Sequence, residues 1–307
     1  MRISLLTGFA LCCLTVAQAA PLDSLTLQPK EEAGLLRRFS KQLDSIDRKI
    51  VFYTGHISLS GGNIQMTVPD GFLFIDGPQS RFILEELWGN MPDMEVSGML
   101  VRDGFRATKL GNDHSFVLSY SDIGYVPDKK DNTLDHHDLL ETLQENMESS
   151  NASRIEMGFN TLSVTGWVMV PYYDQYKNAV YWATRVRANG SDEEILNYNL
   201  RLLGRNGVIK ISAVATMDQL PAIKQELPAI IAQTRFAPGA AYADFKPDAD
   251  QQSDWNLRDM VAGRKQEKGF FTRHQASLKW AGLLLLAGGI GATVFGWSQK
   301  KKQQALA

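Results

Sequence analysis

The stretch TLDHHDLLETLQ, residues 133–144, places Asp135, His136, His137 and Asp138 in a row. Two imidazoles flanked by two carboxylates are donors from which hydrolytic metal centres are built. The same residues also suit a helix start. Asp135 is a good N-cap, Asp138 falls at the third helical position, and negative charge there meets the positive end of the helix dipole. On a helix His136 and His137 point about 100° apart, whereas helical zinc sites place their histidines four positions apart. The spacing therefore predicts a capped helix and no metal site.

A two-metal centre built on Asp-His-His needs further aspartates at the strand ends of a parallel α/β sheet. The aspartates upstream here, Asp122, Asp128 and Asp131, are a few residues away in one predicted loop. His56 and His114 fall on predicted strands and His274 in a polar segment near the C-terminus. The chain has no Gly-x-Ser-x-Gly elbow, phosphate loop or His-Glu-x-x-His. Its two cysteines, Cys12 and Cys13, lie in the N-terminal apolar run, so a chain processed beyond them holds no thiol for catalysis, metal binding or disulfides. No catalytic residue and no cofactor is expected. A metal-independent hydrolase or transferase acting on envelope material is the alternative.

Recognition chemistry is more plausible in the second half. Period-two alternation puts Val180, Trp182, Thr184 and Val186 on one face of a strand, and Tyr181, Arg185 and Arg187 on the other. In the next strand Leu196, Tyr198, Leu200 and Leu202 oppose Asn197, Asn199 and Arg201. If the polar rows adjoin, Tyr181, Arg185, Arg187, Asn197, Asn199 and Arg201 form a patch able to hold an anionic or glycan ligand through forked hydrogen bonds. The aromatic run Trp167, Tyr172, Tyr173, Tyr176, Tyr181, Trp182 crosses a turn and reads as core plus cross-strand pairs.

The elements that must position these residues are legible as periodicity. Residues 31–49 suggest a leading helix. GHISLSGG and NIQMTVPDG suggest two strands joined at Gly-Gly-Asn, and PQSRFILEELWG a helix opened by Pro78 and stopped by Gly89. Two strands precede the Asp-His-His helix, which is expected to end at Gly158. Four strands follow it, with turns such as Asn-Gly-Ser-Asp and Arg-Asn-Gly that favour antiparallel hairpins. MDQLPAIKQELPAIIAQ reads as a helix with Pro221 in its first turn and a kink at Pro228. The expected class is α+β: a twisted antiparallel sheet with helices on one face, followed by a linker and one transmembrane helix. A hydrophobic content of 44% is enough for such a core, and a net charge of -2 gives no reason to expect nucleic acid binding.

Both ends of the chain point to a membrane. Arg2, an apolar run from Leu5 to Val16 and Ala17-Gln18-Ala19 are the parts of a cleavable signal peptide, residues 1–19. Trp280 to Trp297 is a run of 18 uncharged residues, roughly 27 Å of helix at ~1.5 Å per residue, with tryptophans at both ends and Lys300–Lys302 beyond. The basic residues Arg264, Lys265, Lys268, Arg273 and Lys279 on its near side favour the opposite orientation, but a cleaved signal delivers the preceding domain across first. The expected layout is an extracytoplasmic domain at 20–246, a juxtamembrane linker at 247–279, a span at 280–297 and a cytoplasmic tail at 298–307. Gly288, Ala292 and Gly296 recur every four residues and form a small-residue ridge on which two such helices could pack.

The stretches VPDGFLFIDGPQSRFILEELWGN, SVTGWVMVPYYDQYKNAVYWA and LNYNLRLLGRNGVIKISAVATMDQLP resemble a bacterial family of uncharacterized membrane-anchored proteins, built around a domain of unknown function. The resemblance implies an exported domain with a membrane span and implies no reaction. The expectation is a single-pass protein of the bacterial inner membrane, with a non-enzymatic binding or scaffolding domain on the periplasmic or extracellular side. Its expected partners are the bilayer, an envelope protein or polymer, and a second copy through the span.

Overall fold

The computed structural model describes residues 41–109, 114–128 and 134–264. The signal segment, the span with Gly288, Ala292 and Gly296, and the tail lie outside the described residues. No helix among the described residues is long and apolar enough to cross a membrane. Contacts divide the chain into Met1–Leu43 and Asp44–Ala307. Of the first unit, residues 41–43 are described and are helical. All further elements belong to the second.

Seven strands form the main sheet: β3 (Phe72–Asp76), β4 (Val96–Arg102), β5 (Ser115–Ser121), β6 (Leu162–Asp174), β7 (Ala179–Ala188), β8 (Glu194–Leu203) and β9 (Val208–Thr216). Their order is β3-β4-β5-β9-β8-β7-β6 and every neighbouring pair is antiparallel. A small sheet, β1-β2-β10, joins the hairpin His56–Leu59/Ile64–Thr67 to Thr234–Phe236. The hairpin turns at Ser60, Gly61 and Gly62, all with positive φ, which glycine adopts without steric cost.

Helices cover both faces of the main sheet, which corrects the one-face expectation. On the first face, α3 (Leu220–Gln233) presses Ile223, Leu227 and Ile230 onto Leu200, Ile209, Ile211 and Phe116, together with Ile64 and Met66 of the small sheet. α3 continues through Pro228 without ending. On the second face, α1 (Gly77–Arg81), prolonged by a π-helical turn at Phe82–Leu87, covers Ile75, Met99 and Val117. Farther along that face, α2 (His136–Glu156) and α4 (Leu257–Ala262) cover Val180, Trp182, Leu203 and Val208. The alternation misled because the polar members of β8 and β9 are buried too. Asn199 donates to Asn197, Arg201 and Ser212 donate to Asn199, and Lys210 pairs with Glu95.

Residues 257–262 also correct the expected linker at 247–279. Leu257, Met260, Val261 and Ala262 are buried, so this part of the chain belongs to the folded domain. The approach to it is fastened by a stack of Tyr242, Tyr125 and Phe245, with centroids 4.5 and 3.8 Å apart, and by Arg205, which donates twice to Asp250 at 2.7 Å. Asn146 Nδ2 donates to the carbonyl of Ala262 at 2.7 Å, and Arg258 pairs with Asp138.

The open edge of the sheet, β6, is guarded by α2. Asn151 accepts from Leu162 N–H at 2.9 Å and donates to its carbonyl at 2.8 Å, as a neighbouring strand would, while Gln144 donates to the carbonyl of Val164 at 3.0 Å. Pro171 and three register irregularities in β6 further deny the edge to another strand.

Candidate binding face

α2 begins where the sequence places it. Asp135 accepts from His137 N–H at 2.9 Å and Asp138 N–H at 3.3 Å, as a cap does. His136 and His137 are exposed, and their rings tilt against each other with centroids 4.4 Å apart rather than diverging. The remaining described histidines sit elsewhere. His56 bonds Thr67 Oγ1 at 2.9 Å, and His114 Nε2 bonds Glu226 Oε2 at 2.7 Å. No group of three or more His, Cys, Asp or Glu suited to a metal occurs among the described residues.

The two predicted polar rows lie on opposite faces of the sheet, so the six-residue patch does not form. Register sets this: Tyr181 pairs with Leu200, Arg185 with Leu196, and Trp182 with Asn199. In an antiparallel pair directly opposed residues share a face. The polar residues of β8 therefore stand beside Trp182 and Thr184, not beside Tyr181 and Arg185.

Asn197, Asn199 and Arg201 are buried, and they belong to an internal network that continues onto β9 and β5. Arg201 is in register with Lys210, and Lys210 with Ser119. Arg201 donates to Asn199 Oδ1 at 3.3 Å and its guanidinium lies 4.8 Å from the Trp182 ring centroid. Ser212 donates to the same Asn199 oxygen at 2.9 Å. Lys210 pairs with Glu95, which also accepts from Ser121 at 3.0 Å. Burial lowers the Lys210 ammonium against the pull of Glu95 and Asp93, and takes Arg201 down to about 9. Burial raises the Asp93 carboxyl. Glu95, Asp93 and Lys210 were missed by sequence reasoning. The available signal was a lysine inside the otherwise apolar strand VIKISAVAT.

The other row does reach solvent. Tyr181 pairs across the β6–β7 hairpin with Tyr172, and their rings stack with centroids 6.3 Å apart. Tyr172 is 58% exposed and Tyr176, at the hairpin tip, 90%. Along β7 the same face continues through Arg185, opposite Gly166, to Arg187, opposite Ser163. Both arginines are exposed. Arg187 pairs with Glu194 at 3.1 Å. Arg185 donates to the carbonyl of Trp167 at 3.0 Å and has no carboxylate partner among the described residues. Burial, then the charge of Asp174, raises the Tyr181 hydroxyl to about 12, so it stays protonated at neutral pH. The aromatic run thus divides. Trp182 is fully buried, Trp167 and Tyr173 pack beside it, and Tyr172 and Tyr176 face water.

Two of the six predicted residues, Arg185 and Arg187, are exposed on the same side as Tyr172 and Tyr176, while Tyr181 is half-buried, its ring against Tyr172 and its hydroxyl enclosed. Tyrosine faces flanking an unpaired guanidinium can stack on rings and fork onto anionic or hydroxyl oxygens. A model of proteins of unknown function, DUF2167, matches residues 51–290. The chain belongs to that family. For this DUF2167 member no curated protein gives a match. Solved structures with some likeness include PsbP (CyanoP) of Synechocystis sp. PCC 6803, at 14% identity over 59% of this chain and 91% of that one, with a TM-score of 0.34. The Ran-binding protein Mog1p of Saccharomyces cerevisiae matches at 15% identity over 60% and 96%, with a TM-score of 0.31. LpqN of Mycobacterium tuberculosis, described as involved in cell envelope biogenesis, matches at 13% over 62% and 95%, with a TM-score of 0.28. Likenesses at this level say nothing about ligands of the DUF2167 domain.

Proposed function

We propose that this protein is a non-enzymatic binding module of the bacterial cell envelope, held at the inner membrane by residues 280–297 with its folded domain on the periplasmic side. The strip of Tyr176, Tyr172, Tyr181 and Arg185 is the observation that carries this reading. Its ligand is an extended envelope polymer bearing rings and anionic or hydroxyl oxygens. From Tyr181 to Arg187 the strip spans roughly 20 Å at ~3.3 Å per residue, enough for several sugar units. The buried cations of β8 and β9 keep that sheet region rigid and do not touch the ligand.

The binding test uses the full chain in detergent and purified anionic envelope polysaccharide as the probe. Tyr172→Ser with Tyr176→Ser lowers affinity at least tenfold on this reading, and Arg185→Gln lowers it and flattens its salt dependence. Retention of wild-type binding by both variants overturns the reading. Placement is tested separately with periplasm-active and cytoplasm-active reporters fused after residue 264 and after residue 307. Self-association through Gly288, Ala292 and Gly296 is part of the same proposal, and Gly288→Leu with Gly296→Leu abolishes it.

A further inference from the structure

At the opposite end of the sheet from the tyrosine strip, a cleft of about 310 Å³ opens between the chain entering the domain and α1. Its walls are Ile46, Ile50, Pro78, Phe82, Gln79 and the side chain of Lys49. Ile50 also packs into the apolar cluster of Ile75, Ile83 and Leu84, which gives the cleft a firm floor. Gln79 spends its side-chain oxygen on Val51 N–H at 2.7 Å, tying the two walls together. Apolar surface continues at the mouth, where Phe82 is 45% and Val51 49% exposed.

Asp44 and Asp47 are turned away to Arg106, and Asp47 is taken again by Thr108, whose hydroxyl donates at 2.7 Å. Arg48 donates to the Asp44 carbonyl, and neither Arg48 nor Lys49 has a carboxylate partner among the described residues. A solvent-exposed ammonium thus stands at the rim of an apolar cleft, with the neighbouring Asp44 and Asp47 drawn to Arg106. The volume is at the small end of the roughly 300–1,000 Å³ usual for ligand sites, room for one acyl chain and not for a two-chain lipid.

We infer that this cleft binds the alkyl chain of a single-chain carboxylate amphiphile, with Lys49 at its head group. Each further methylene tightens binding about fourfold until the cleft is full. This site is separate from the tyrosine strip and stands or falls independently of it.

The test is photolabelling of the full chain in phosphatidylcholine nanodiscs with a diazirine-bearing decanoic acid, and mapping of labelled residues by mass spectrometry. Labels are expected at residues 46–50 and 78–82. Decanoate displaces the probe more strongly than decanol, and decyltrimethylammonium more weakly than either. Lys49→Gln reduces the preference for decanoate over decanol by about threefold to fivefold, the range of an exposed ion pair. Phe82→Asp, a change at a half-exposed position, abolishes cleft labelling while circular dichroism stays unchanged. Labelling that falls elsewhere, or displacement equal for anionic and cationic competitors, overturns the inference. So does an anion preference that survives in Lys49→Gln.

Discussion

Arg201 of β8 stands directly opposite Lys210 of β9, two buried cations in register on one face of the main sheet. Like charges in that position repel, and the low-dielectric interior amplifies the repulsion. The arrangement holds because Glu95 reaches over from the start of β4 to pair with Lys210, while Arg201 spreads its charge over the Trp182 ring and the Asn199 oxygen. The network is internal scaffolding, whereas Arg185 and Arg187 on the opposite face of β7 are exposed.

Removing the anion should expose the repulsion. Glu95→Gln is expected to destabilise the domain by about 2–3 kcal/mol, less than the ~3–5 kcal/mol typical when a fully buried pair is broken. The discount reflects the Glu95 side chain being 24% exposed. Replacing both partners, Glu95→Leu with Lys210→Met, should restore most of the loss. Urea unfolding at pH 7 checks both variants.

Two aspartates should respond to pH in opposite senses. Burial alone raises Asp47, but hydrogen bonds from Thr108 and Arg106 outweigh it and hold its carboxyl below the ordinary value of 3.8. Its contribution is therefore present above about pH 4 and is lost as pH falls through the folded value. Asp47→Asn should cost about 1.5–3 kcal/mol at pH 7 and progressively less in acid. Burial raises Asp93 above 3.8, so its contribution is present below that pH and is lost as pH rises through its folded value. Asp93→Asn, which keeps the acceptor for Glu95 N–H, should gain on the wild type as pH rises from 4 to 7. Thermal unfolding across that window decides both cases.

Glu226 fastens α3 to the sheet by accepting from Arg102 at the end of β4 and bonding His114 just before β5. With His114 and Glu226 both largely buried, Glu226→Ala should cost about 2–4 kcal/mol. Faster hydrogen exchange across 223–230, with β7 and β8 unchanged, is the expected signature.

The C-terminal boundary is equally testable. A chain ending at residue 246 would lose Leu257 and Val261 from above Trp182 and Val180, and should be recovered insoluble or partly unfolded. A chain ending at residue 264 should fold. Leu257→Ala in the full chain should cost about 2–5 kcal/mol, as buried leucine truncations do.

Local chemistry was legible in the sequence. Asp135 as a cap, the β1–β2 hairpin at its glycines, the helix ending before Gly158 and the antiparallel pairing of β6 to β9 all follow from short-range propensity and turn residues. Period two also separated Tyr181 from Trp182 and Asn199 from Leu200 correctly along each strand. It could not say that the polar side of β7 faces the opposite way from the polar side of β8. That depends on register between strands, which a single strand's alternation does not contain.

Burial was likewise beyond the sequence. Asn197, Asn199 and Arg201 read as part of a polar patch open to a ligand because polar residues generally seek water. Here Asn199 bonds Asn197 and Arg201, and Lys210 pairs with Glu95, all inside the fold. The sequence by itself determined the elements, the class and the residues rich in recognition chemistry, because these rest on interactions a few positions apart. Only the tertiary structure decided which of those residues are buried and which reach solvent. Pairing partners more than a hundred residues apart, such as Glu95 with Lys210, is a property of the assembled sheet.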